Sequence, residues 1–305
     1  MLRKRRQYQD ARAAHPARSK PGFPNAPAGD EAFASLADSR MYWPVQRARL
    51  QVSVRDAFQA GVGRPLESAL MAMWQRRMPG GSRIEAKGLP RRAVERALGD
   101  QLVVSVDPGQ LIRLRDWRGC RKQERPSSNI FIWGGDWDLR RSDFRDSGRI
   151  RFVRDIDMHR HQLEKSEAYR RFESLLQAGV PWRSHQQGVL LDTEERILQY
   201  LKAYLGFLDH MAEHGFDKER GKDELSVAVT RDGRLLKLNR GLHRLAMAQH
   251  LKLASIPVTV KAVHREWWDR VTGDAIGQKA LARVVAALAE CEPETDPGSL
   301  DPRAA

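Results

Sequence analysis

The stretch "DGRLLKLNRGLHRLAMAQHLKLASIPVTV", Asp232 to Val260, restricts what this chain can fold into more than any other. It opens on Asp232-Gly233, set between the apolar runs "LSVAV" and "LLKL". That pair marks a tight hairpin, because glycine takes the positive φ such turns need. Leu245, Ala248 and Leu251 then recur at helical spacing, and "SIPVTVKAV" is a β-branched run that reads as a strand. Strand, helix and strand within about thirty residues predict a right-handed crossover and local parallel pairing. The fold class is therefore α/β, or α+β where sheet and helices segregate.

The flanking sequence divides by composition. Residues 1–40 are rich in Arg, Ala, Pro, Gly and Ser and are expected to form a disordered basic arm. Residues 41–98 read as a helical segment, with Leu70, Met73 and Trp74 at i, i+3, i+4. Residues 99–270 form the main domain, opening with the strands "LVVSVDP" and "NIFIWGGDWD". Within it, about 155–220 reads as a helical insertion. One inserted helix should stop at Gly179, with Pro181 beyond. The other should start from Asp192 as N-cap with Glu195 in a capping box, its stripe running from Ile197 through Tyr200, Tyr204 and Leu208 to Met211. Residues 271–305 supply one more helix and an acidic, Pro-rich tail.

A formal net charge of +14 favours partners that carry phosphate. Cys120 and Cys291 form no Cys-x-x-Cys spacing, which excludes a Cys-rich zinc site and favours a reducing, cytoplasmic setting. No run of about 18 apolar residues is present, so no membrane span is expected.

The turn before the central helix gathers Arg240, Gly241, His243 and Arg244. A helix N-terminus exposes unpaired amides and the positive end of the macrodipole. Glycine lets backbone approach a ligand, arginine supplies forked donors matched to phosphate, and histidine adds a donor near neutral pH. Together these are the ingredients of a phosphate cradle.

Residues 227–263, with hairpin, Gly-x-His-Arg turn, helix and Ile-Pro-Val strand, resemble the ParB/sulfiredoxin superfamily. The resemblance implies a small mixed sheet with helices, here carrying a helical insertion and flanking helices. It also implies that Gly241, His243 and Arg244 bind nucleotide phosphates, with ATP or CTP and Mg²⁺ as the ligands. A nucleotide hydrolase or phosphotransferase is the enzyme class that follows. Leu242 stands where sulfiredoxin-like members place their reactive cysteine, which argues against sulfinic acid reduction. One helix and a tail follow the domain, so the helix-turn-helix of the chromosome-partition members has no counterpart. The alternatives are a sequence-indifferent module touching DNA or RNA through the N-terminal arm, and a nuclease.

Secondary candidates are weaker. Asp136 and Asp138 in "GGDWD" are placed to hold Mg²⁺ against a phosphate. His159 and His161, near Asp155 and Asp157, form a His-x-His pair read on a strand, but no further ligands accompany them. Trp267 and Trp268 suit either base stacking or, with better odds, the core. Asp223 and Glu224 are candidate bases.

Overall fold

Residues 31–118, 120–185, 188–217 and 224–301 are described by a computed structural model. The N-terminal arm up to residue 30 and Asp223 lie outside these residues. The α-helices are α1 (Tyr42–Phe58), α2 (Arg64–Gln75), α3 (Gly81–Ala86), α4 (Arg91–Leu98), α5 (Gly148–Met158), α6 (Glu167–Gln177), α7 (Glu194–His214), α8 (Leu242–His250), α9 (Arg265–Thr272) and α10 (Gln278–Leu288). The strands are β1 (Val103–Val106), β2 (Arg113–Arg115), β3 (Ile132–Trp133), β4 (Arg141–Asp143), β5 (Trp182–Ser184), β6 (Val189–Leu191), β7 (Ser226–Val229), β8 (Leu235–Lys237) and β9 (Ile256–His264). The class is mixed helix and sheet, consistent with α/β.

The chain separates into two compact units, one of residues 57–153 and 211–305, the other of residues 1–56 and 154–210. The first holds a seven-stranded mixed sheet in the order β1-β9-β7-β8-β2-β4, with β3 also paired to β9. The Asp232-Gly233 hairpin forms, with Gly233 at φ 86° and Thr230 N–H donating to Arg234 O at 2.8 Å. β7 and β8 are accordingly antiparallel.

The crossover departs from the sequence expectation. β8 and β9, joined by α8, are not neighbours: β7 lies between them, and the parallel partners of β9 are β7 and β3. The reason is local. The tight hairpin fixes β7 against β8, so the chain leaving β8 must pass β7 before it finds a free edge. The parallel neighbour of β8 is instead β2, with Leu114 opposite Lys237.

One core of this unit lies against the sheet, where Trp133, Trp137, Ala228, Leu236 and Ala262 pack together with Trp117, Ile130 and Leu238. A second contact ties helices together. Glu85 on α3 accepts from the indole N–H of Trp74 at 2.6 Å and of Trp268 at 2.8 Å, and both rings are fully buried. Trp267 is buried too, so both α9 tryptophans serve the core and not base stacking. The acidic tail is also built in. Arg141 is buried against Glu294 at 2.8 Å, and its Nη1 donates to Asp296 O at 3.0 Å.

In the other unit, Phe33, Tyr200 and Tyr204 form an aromatic cluster with Phe207, and Arg196 donates to the carbonyls of Leu190 and Leu36. α6 ends at Gln177, and Gly179 just beyond it takes φ 73°, the glycine stop that the sequence predicts. α7 starts one residue later than expected. Thr193 Oγ1 accepts from Arg196 N–H at 3.2 Å, while Asp192 pairs with the side chains of Arg40 and Arg196. Asp192 has two cations within reach, which compete with a capping role for its carboxylate. Among the described residues, no helix is long and apolar enough to cross a membrane.

Candidate phosphate site

β8 ends at Lys237, a lysine inside an apolar run whose side chain is wholly buried. Its ammonium donates to the carbonyls of Ser226 at 3.1 Å and Leu238 at 2.6 Å, and to that of Arg240. These bonds gather the backbone of residues 238–240 beneath the turn. Lys237 was not a sequence candidate; its place among leucines in "LLKL" is the signal that it is buried and needs acceptors.

Gly241 follows at φ 73°, ψ 21°, as the residue from which α8 starts, and no side chain caps that helix end. The first amides of α8 therefore rely on groups other than a capping side chain. Arg240 is exposed beside the turn. Leu242 is buried and anchors the helix start.

The two remaining candidates are half-buried and pack against aromatic rings. Burial, with Arg149 nearby, pushes the His243 imidazole down to about 4, so it is neutral at physiological pH. Its ring meets Phe152 edge-on, with centroids 6.1 Å apart. The Arg244 guanidinium lies 4.2 Å over the Phe216 ring and donates to Asp217 O. The sequence brought these four residues to one turn. The structure divides them between an exposed Arg240 and a pair, His243 and Arg244, that packs on Phe152 and Phe216.

The parallel register of β2 and β8 adds a neighbour that sequence reading missed. Both strands run the same way, so residues after Arg115 leave the sheet beside those after Lys237. Ligands of open α/β sheets collect at the carboxyl ends of strands. Residues 113–125, "RLRDWRGCRKQER", carry Arg113, Arg115, Arg118, Arg121, Lys122 and Arg125 in sequence on either side of Trp117, and Arg115 and Arg125 approach its ring. That density of basic residues around one tryptophan was visible, but without the register it reads as a solvated charged run.

Asp136 and Asp138 are engaged elsewhere. Arg231 Nη2 lies 2.9 Å from a carboxylate oxygen of each, and Asp138 is fully buried. His264 Nε2 is 3.8 Å from Asp138, and it contacts Gly135 O at 2.9 Å. Arg231 sits in the β7–β8 hairpin turn, while Gly241 follows the far end of β8. The two candidate clusters therefore stand at opposite ends of that hairpin. Glu224 forms an ion pair with Lys261 at 2.7 Å.

His159 and His161 lie just past the end of α5 and not on a strand, so strand alternation does not align them. His159 Nδ1 meets Asp155 O at 2.9 Å, and Asp155 itself accepts from the amides of Glu167 and Ala168 at the start of α6. No group of three or more His, Cys, Asp or Glu placed to hold a metal ion occurs among the described residues. In comparisons with known proteins, no family model, no curated protein and no solved structure matches this chain.

Proposed function

We propose that the chain binds a nucleoside phosphate, ATP or CTP with Mg²⁺, at the turn formed by residues 240–244. The observation that carries this reading is the start of α8. A left-handed glycine opens a helix that no side chain caps, beside an exposed Arg240, at the carboxyl end of β8. The positive end of the helix dipole favours an anion there. The resemblance of residues 227–263 to the ParB/sulfiredoxin superfamily supports the same assignment. Mg²⁺ would arrive with the polyphosphate, since it binds substrate oxygens with few protein ligands. Asp136 and Asp138, held by Arg231 at the other end of the hairpin, are not assigned to it. Hydrolysis or phosphoryl transfer needs mainly positioning and charge neutralisation, which such a turn supplies in part.

The test is thermal melting with ATP or CTP, with and without Mg²⁺, because a ligand of the native state raises the melting point. Arg244→Ala should weaken binding by about 1.5–3 kcal/mol, roughly ten- to a hundredfold. Since Arg244 also packs on Phe216, the exposed Arg240→Gln is the companion variant and should weaken binding without loss of fold. Nucleotide affinity unchanged in both variants sinks the assignment. The second reading, a sequence-indifferent nucleic-acid module, is favoured by the basic run of residues 113–125. Steeply salt-dependent DNA binding with no nucleotide response would select it.

A further inference from the structure

Three arginines are buried among the described residues: Arg115, Arg141 and Arg196. Two are answered. Arg141 has the Glu294 carboxylate at 2.8 Å, and Arg196 donates to the carbonyls of Leu190 and Leu36. Arg115, the last residue of β2, is 6% exposed, and among the described residues nothing accepts from its Nε or Nη1. The adjacent carboxylate is already used, because Asp116 binds the Arg118 guanidinium at 2.9 Å. The Arg115 guanidinium instead stacks 2.8 Å from the Trp117 ring centre, and Arg125 approaches the same ring at 5.4 Å. Burial and the second cation push the Arg115 guanidinium down to about 9, which still leaves it charged at neutral pH.

A buried charge without a counter-charge is strongly unfavourable, and stacking on an indole offsets only part of that cost. Arg115 on the surface would avoid it. A buried position that keeps the charge, leaves Nε and Nη1 without an acceptor among the described residues and gathers a second arginine beside it is suited to an external anion. Planar guanidinium forks match phosphate oxygens better than any other common anion donor.

We propose that the carboxyl end of β2 is a phosphate-binding subsite, with Arg115 as inner donor, Arg125 as outer donor and Trp117 as the wall between them. The exposed Arg125 is the group that gives way when phosphate reaches Arg115. The phosphate belongs either to a free nucleotide or to a nucleic-acid backbone. The subsite does not rest on the assignment of the Arg240–Arg244 turn.

The experiment compares melting of the full chain in sodium phosphate and in sodium chloride at equal ionic strength. Wild type should gain about 2–4 °C or more in phosphate beyond what Arg115→Met gains. Phosphate also stabilises proteins by exclusion from their surface, but that part acts on both chains and subtracts out. In chloride, Arg115→Met should melt above wild type, because the uncompensated charge is gone. Arg125→Gln, at the surface, should lose part of the phosphate gain and so decides the matter should Arg115→Met not fold. Introducing Arg115→Met into Arg244→Ala should remove the same part of the phosphate gain as it removes from wild type, which separates this site from the turn. Repeating the comparison with ATP and with a ten-residue oligo-dT assigns the source to the probe with the larger Arg115-dependent shift. The proposal is overturned if phosphate gives wild type no gain over the variants.

Discussion

A methyl group at Gly241 would stand 2.7 Å from Leu225 Cδ2, on a backbone already at φ 73°. We predict that Gly241→Ala destabilises the protein by about 1–3 kcal/mol in urea unfolding, with no nucleotide present. The need for glycine was legible in the sequence; its cause was not, because a leucine as far upstream as Leu225 can be placed only by the fold. Leu242, 8% exposed, should accept Leu242→Met for less than about 1.5 kcal/mol. His243 gives a pH test. Its folded value of about 4 lies below the ordinary 6.5, so the unfolded chain takes up a proton that the folded chain refuses. Stability from this group is full above pH 6.5 and falls as pH drops from 6.5 towards 4. The loss is on the order of 2–3 kcal/mol and should be absent in His243→Phe, read as the difference between the two proteins at pH 7 and pH 4.5.

Among the elements, those that carry their own signal were readable: the Asp232-Gly233 hairpin, the apolar stripe of α7, the glycine stop of α6. β2 and β4 were not. "RLR" and "RSD" have no strand propensity, and they are strands because Arg113, Leu114 and Arg115 pair with Asp143, Ser142 and Arg141. β3 shrinks to two residues because the glycines and Trp137 that follow it serve a bend. The strand order was equally hidden, since a hairpin and a helix of nine residues do not say which edge the next strand will take. The link between α2, α3 and α9 was invisible for a related reason: Glu85 looks like a surface helix residue until two indoles converge on it. Glu85→Ala should leave both buried indole N–H groups unpaired and cost about 2–5 kcal/mol in denaturant unfolding, with Glu85→Gln recovering part.

At the scale of the molecule, each unit is assembled from two separated stretches of chain, and the tail that reads as a loose acidic end belongs to the sheet unit. Leu235 N–H donates to Glu292 O and Glu294 N–H to Leu235 O, so the tail continues the pairing of β8 at its start. Glu294→Ala should strand the buried Arg141 guanidinium and lower stability by about 3–5 kcal/mol, measured by urea titration of the full chain. The candidate site inherits this architecture, because β2 and β8 come from different halves of the unit and meet only through the finished sheet. β9 has a further consequence. It is paired with β1, β3 and β7, and it follows all three in the chain. As a ribosome extrudes this protein, β1 and β3 must wait for their partner until the long stretch of chain that separates them from β9 has been made. Such exposed intermediates are prone to aggregate, so the growing polypeptide is expected to depend on chaperones until β9 emerges and joins the sheet.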